Sequence, residues 1–176
     1  MTTDRESGAT LLIRPGDSMP GFTLPDTDGN IVRLKAFKQR RPMLIALLHS
    51  AACQDCRAWL SGLVAAREEL VYRDVQPALI FPDDLAALRT LRTELDLPGV
   101  LLSDPQRATL ARYLRIEDET ARRPVLLVAV GRYSECLDTW VADEPSRWPP
   151  LSEPITTFAF AEQEDCSCGL PIWQDA

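Results

Sequence analysis

Positive charge is scarce in this chain: 19 basic residues stand against 26 acidic ones among 176, a formal charge of −7. No broad basic surface is available to neutralise phosphates, so nucleic acid is not an expected partner. Long apolar runs are missing too. Met43 to Leu48 and Val125 to Val130 stop far short of the roughly 20 residues that cross a bilayer, and Met1 to Arg14 lacks the apolar stretch of a signal peptide. A soluble, cytoplasmic protein with no membrane partner is the expectation. Cysteine is present but odd in number, at 53, 56, 136, 166 and 168, which excludes a complete disulfide framework. What remains, 45% apolar and 26% charged residues, suits one globular domain with a single core.

Residues 1–14 are polar and unpatterned, a flexible N-terminal arm ahead of turn signals at Pro15-Gly16-Asp17 and Pro20-Gly21. Phe22-Thr23-Leu24 and Ile31 to Leu34 flank Asp28-Gly29 and predict an N-terminal β-hairpin. Pro42 to His49 is nearly continuously apolar, as a central strand covered on both faces would be. A helix should follow, because Trp59, Leu60, Leu63, Val64, Leu70 and Val71 recur at helical spacing with a break at Arg67. Val75 to Phe81 reads as a strand, with Asp83 capping a helix that carries Leu85, Leu88, Leu91 and Leu95. Asp104-Pro105 should cap and start a short helix reaching about Leu114. Val125 to Val130 is a third strong strand, to which Cys136 to Trp140 pairs back antiparallel. Asp143 to Pro154 reads as a proline-rich surface loop, and Ile155 to Glu164 as a final helix. The order predicts an α/β domain over residues 15–164, a mixed central sheet flanked by helices with the hairpin as an N-terminal extension; residues 165–176 form a cysteine-containing tail.

Cys53-Gln54-Asp55-Cys56 falls where the buried strand ends and the helix begins. Free backbone N–H groups and the dipole at a helix N-terminus stabilise a thiolate there. Cys53 is the better-placed nucleophile, and Cys56, three residues on, can attack a mixed disulfide on it and release the substrate as a thiol. Asp55 raises a nearby thiol pKa and Arg57 lowers it. The bland alternative is a pair of buried structural cysteines.

The run Pro15-Gly16-Asp17-Ser18-Met19-Pro20-Gly21-Phe22-Thr23-Leu24-Pro25-Asp26-Thr27-Asp28-Gly29, then Val32-Arg33-Leu34, the apolar strand, the cysteine pair and Leu102-Ser103-Asp104-Pro105 resemble the peroxiredoxin-like branch of the thioredoxin superfamily, the alkyl hydroperoxide reductase/thiol-specific antioxidant family. The resemblance covers about residues 15–140 and implies a thioredoxin-like fold with cysteine-based reduction of peroxides or disulfides. Laid on the family's proline, threonine and peroxidatic cysteine, this chain has His49, Cys53 and Cys56, so two of those three positions differ. Two enzymatic readings follow from it. In one, Cys53 is the nucleophile of dithiol exchange and Cys56 resolves; in the other, Cys56 attacks a peroxide and Cys53 resolves. The resemblance also implies a site role for Arg123, which would stabilise the thiolate, and for Pro124, as a cis proline facing the cysteines and presenting backbone to substrate.

His49 either pairs with a thiolate or packs at the strand end, and Cys136 is most simply a small buried hydrophobe. The tail pair Cys166 and Cys168 is read as an auxiliary redox couple that would exchange with Cys53 or Cys56. A zinc or iron–sulfur site built from those four cysteines is the alternative; no cofactor or metal is assigned. A non-catalytic or metal-holding interaction domain on the same fold is the reading of another class. The expected partners are a disulfide-bearing protein or a small peroxide, together with a cellular thiol reductant. Oligomeric state, a homodimer included, is open.

Overall fold

A computed structural model describes residues 9–117 and 123–167, with the side chains of the last helix followed to residue 161. Along the described residues the strands are β1 Ala9–Leu11, β2 Thr23–Pro25, β3 Ile31–Arg33, β4 Met43–Leu47, β5 Gln76–Phe81, β6 Val100–Ser103, β7 Leu114–Ile116, β8 Val125–Val130 and β9 Cys136–Ala142. The helices are α1 Gln54–Ala65, α2 Arg67–Tyr72, α3 Leu85–Leu95, α4 Ala108–Tyr113 and α5 Ser152–Ser167. No described helix is long and apolar enough to cross a membrane.

The main sheet has the order β6-β5-β4-β8-β9. β4 runs parallel to β5, β5 parallel to β6, and β8 antiparallel to both β4 and β9. All five residues of β4 and all six of β8 are buried, because helices or loops cover both faces of the sheet. Alternate residues of β4 feed two cores. Leu44 and Ala46 join Leu60 and Leu63 of α1, Leu88 and Leu91 of α3, and Ile155 and Phe158 of α5. Met43, Ile45 and Leu47 join Phe22, Leu24, Leu110 and Tyr113 on the opposite face. The expected mixed sheet with helices on both faces is the observed one.

The hairpin forms as its sequence predicts. β2 pairs antiparallel with β3, the Asp26 carboxylate accepts from the backbone N–H groups of Asp28 and Asn30, and Gly29 takes φ +86°, where a side chain would be strained. A bridge from Asp26 to Leu102 ties this hairpin to the edge of the main sheet.

Several expectations are corrected. Residues 9–14, expected to belong to a flexible arm, include β1, which pairs with β7, and the buried Ile13; residues 1–8 lie outside the described ones. The cap of α3 is Asp84, whose carboxylate accepts from the Ala87 N–H, while the Asp83 carboxylate turns back to the Ala51 N–H at 3.0 Å. Asp104 does cap α4, accepting from Ala108 and Thr109. Pro105 nevertheless does not start that helix, because Arg107 in between adopts a left-handed φ of +52°. The proline-rich connection is more than surface, since it buries Trp148 edge-on against Trp59 with ring centroids 5.0 Å apart. α5 begins three residues earlier than expected, at Ser152.

These two cores make the cost of truncation specific. Leu127→Ala in β8, at 0% exposure, should lower unfolding free energy by about 2–5 kcal/mol. Val71→Ala, at 73% exposure, should stay within about 0.5 kcal/mol of the parent. Urea titrations of the two variants check both values.

Candidate active site

Order in the sheet extends one residue past β4, where the Leu48 N–H donates to the Ile80 carbonyl at 3.0 Å. His49 is therefore the first side chain beyond the packed strand. The loop that follows is held from three directions. The Arg107 guanidinium donates to the His49 carbonyl at 2.8 Å, Asp83 receives the Ala51 N–H, and Arg57 donates to the Ala51 carbonyl at 3.0 Å. Ser103 Oγ in turn donates to the Asp83 carbonyl, fixing the backbone that carries that carboxylate. Cys53 then takes an extended conformation, φ −69° and ψ 122°, as the residue before α1. Its carbonyl receives the Arg57 N–H and closes the first turn.

Helix periodicity decides which way each sulfur faces. Cys56, Leu60 and Leu63 share the stripe that α1 buries, so Cys56 is 0% exposed. Cys53 precedes the helix proper and stays partly exposed. No disulfide joins the two cysteines. Burial pushes the Cys56 thiol up to about 11; backbone N–H groups of His49 and Ser50 pull it down, and Cys53 adds to the rise. At neutral pH the Cys56 sulfur is thus a protonated thiol.

His49 links this pair to the rest of the fold. Its Nε2 lies 2.7 Å from the Arg123 carbonyl oxygen. A carbonyl can only accept, so Nε2 carries a proton, and of the two neutral tautomers this is the one whose lone pair is at Nδ1. That nitrogen lies 3.9 Å from Cys53 Sγ. The His49 nitrogen and the two sulfurs all lie within 4.8 Å of one another. Arg107 completes the surroundings: burial and the like charge of Arg123 lower its pKa, while Asp83, Asp104 and Cys56 act to hold it charged.

The sequence-predicted residues Cys53, Cys56 and His49 are brought together, and Arg123-Pro124 adjoins them through the Arg123 carbonyl. Pro124 corrects one expectation. No cis peptide bond occurs among the described residues, so the Arg123–Pro124 bond is trans. The extended entry into β8 aims the Arg123 carbonyl at His49, which makes that carbonyl part of the site's internal wiring. Arg57, expected to act on the thiols, is committed to Ala51 and Glu94. Cys136 is buried in the second core, as its reading required. Cys166 lies on the last turn of α5; its side chain and all of Cys168 lie outside the described residues.

Sequence reasoning missed Arg107 and the anchoring role of Asp83. Arg107 sits 58 residues from the carbonyl it holds, and its only local signal is its place two residues after Asp104-Pro105.

Comparisons with known proteins bear on the family and the fold. A model of the AhpC/TSA family matches residues 15–132, more than half of the chain. A curated "Putative peroxiredoxin" of Mycobacterium tuberculosis is 32% identical over 104 residues, which are 59% of this chain and 66%, just under two thirds, of the relative. Among solved structures, peroxidoxin BcpB of Mycobacterium tuberculosis superposes with a TM-score of 0.71 at 16% identity, covering 84% of this chain and 97% of that one. A yeast mitochondrial 1-Cys peroxiredoxin gives a TM-score of 0.73 at 12% identity, covering 93% of this chain and 84% of that one. At such identities the structural likeness establishes the thioredoxin-like fold.

The burial of Cys56 has a measurable consequence. In Cys53→Ser, the alkylation rate of Cys56 by iodoacetamide should keep rising with pH past the ordinary thiol value of 9.0, because desolvation, the largest cause of the shift, remains when Cys53 is removed. A plateau reached below pH 9 would contradict that burial.

Proposed function

The chain belongs to the AhpC/TSA family, and on that premise we propose that it is a thiol-disulfide oxidoreductase cycling Cys53 and Cys56 between dithiol and disulfide. One observation carries the reading: the two sulfurs are unequal. Cys53 is partly exposed with a proton acceptor, His49 Nδ1, at 3.9 Å, whereas Cys56 is fully buried behind it. Attack belongs to the reachable sulfur and resolution to the hidden one.

Cys53 gives its proton to His49 Nδ1, and the thiolate attacks one sulfur of a substrate disulfide. That S–S bond breaks, the first substrate thiolate leaves, and the imidazolium returns a proton to it. Cys56 then passes its proton to His49 Nδ1 and attacks Cys53 Sγ; the Cys53–substrate bond breaks, and the second substrate sulfur takes that proton and leaves as a thiol. The substrate gains two electrons and two protons, and the protein is left with a Cys53–Cys56 disulfide. A cellular dithiol or two monothiols must reduce it to close the cycle. The yeast structural relative is described with the glutathione and thioredoxin systems as thiol-resolving agents, and a reductant of that class suits this chain. Such a cycle fits a reducing compartment, the cytoplasm.

Peroxide reduction by Cys56, with Cys53 resolving, is the second reading. It is favoured by the backbone N–H groups of His49 and Ser50 that stabilise a Cys56 thiolate and by the neighbouring Arg107 charge. In that case the Cys56 thiolate attacks one peroxide oxygen, the O–O bond breaks and the other oxygen leaves as water or an alcohol once protonated; Cys56 becomes a sulfenic acid, and attack by Cys53 forms the disulfide and releases water.

Single-cysteine variants separate the two. With a protein disulfide as substrate, Cys56→Ser should accumulate a mixed disulfide on Cys53, while Cys53→Ser should lose at least about a hundredfold in reduction rate, the scale expected when the attacking group itself is removed. Peroxide-dependent sulfenic acid at Cys56 in Cys53→Ser, formed far faster than on a free thiol, would instead establish the peroxidase.

A further inference from the structure

We propose that the reduced site also binds one thiophilic d10 cation of the zinc or cuprous class, through Cys53 Sγ, Cys56 Sγ and His49 Nδ1. The binding itself rests on donor geometry; only its consequence for oxidation rests on the proposed Cys53–Cys56 disulfide, so zinc uptake by the reduced protein tests it apart from the redox activity. Two sulfurs and one imidazole nitrogen within 4.8 Å of one another form a soft donor set that disfavours magnesium and calcium. Tetrahedral zinc, with bonds of about 2.3 Å to sulfur and about 2.0–2.1 Å to nitrogen, places such donors roughly 3.5–3.8 Å apart. The observed Cys53 to His49 separation of 3.9 Å is already close to that spacing.

The ring is also oriented for ligation before any ion arrives. Its Nε2–H is spent on the Arg123 carbonyl at 2.7 Å, the second-layer bond that fixes tautomer and direction in histidine ligands. Nδ1 therefore keeps its lone pair toward the sulfurs. Charge is compatible as well. Two thiolates neutralise a divalent ion, and the Arg107 guanidinium interacts favourably with a deprotonated Cys56, with Asp83 and Asp104 balancing Arg107 in turn. Three protein ligands leave a fourth position on the partly exposed Cys53 and His49 side. The site is open there, unlike the closed four-ligand structural centres.

Binding exchanges two thiol protons for the ion, with no change in oxidation state. Because the same two sulfurs form the disulfide, metal occupancy and oxidation exclude one another. An occupied site would shield the dithiol from oxidants and hold the chain out of its redox cycle.

The test uses the full chain carrying Cys166→Ser and Cys168→Ser, so that tail thiols contribute nothing. Reduced, metal-free protein is titrated anaerobically with zinc against a chromophoric chelator. One zinc per chain, with about two protons released per ion, is expected. His49→Ala should weaken binding roughly tenfold or more, and Cys53→Ser, at a partly exposed position, should lose tight binding even if the histidine variant fails to fold. Disulfide-oxidised protein should take up none. Absence of uptake by the reduced protein, or uptake unchanged in the folded Cys53→Ser variant, would overturn the proposal.

Discussion

Everything in the site follows from the double burial of β4. A strand with apolar side chains on both faces has no room for chemistry along its length, and its backbone groups are used by β5 on one side and β8 on the other. Polar function is displaced to the end of the strand. There the chain must turn into α1, whose apolar stripe has to face the same core. That packing requirement points Cys56 inward with Leu60 and Leu63 and leaves Cys53 at the rim. The inequality of the two thiols, on which the proposed reaction depends, is thus a by-product of how one helix docks on one strand.

The polar groups around the pair stabilise the turn and prepare the chemistry with the same bonds. Arg107 and Asp83 hold the backbone at His49 and Ala51, and the Arg123 carbonyl holds the far side of the imidazole. Each contact reaches across from a different element: the loop after β6, the loop after β5 and the entry to β8. A loop so braced keeps Nδ1 facing the sulfurs without help from substrate. The Arg123 carbonyl, next to a trans bond to Pro124, belongs to this arrangement because His49 occupies it.

Much of this was legible in the sequence, for physical reasons that can be named. Met43 to Leu47 and Val125 to Val130 are apolar on both faces, and only a central strand needs that pattern. Asp28-Gly29 announced its turn because few residues tolerate the required φ. The cysteine pair and His49 were readable because their spacing is local. Short strands were not: Ala9–Leu11 and Leu114–Ile116 have three residues each, too few for alternation, and each is defined by the other. Arg107 was invisible because its bond to His49 spans the chain, and its left-handed backbone had no glycine to signal it. Asp83 and Asp84 are equally good caps on paper. Only the position of Ala51 decides which carboxylate goes to the helix and which to the loop.

The central claim is that Cys53 and Cys56 form one reversible two-electron couple. Equilibrating the full chain in glutathione buffers of graded potential, quenching with acid and mapping the disulfides by mass spectrometry tests it directly. A single transition is expected, in which Cys53 becomes linked to Cys56 and reduction restores both thiols. Persistence of both thiols through the range that oxidises ordinary dithiol enzymes, or linkage of either cysteine to Cys166 or Cys168 in place of its neighbour, would contradict it.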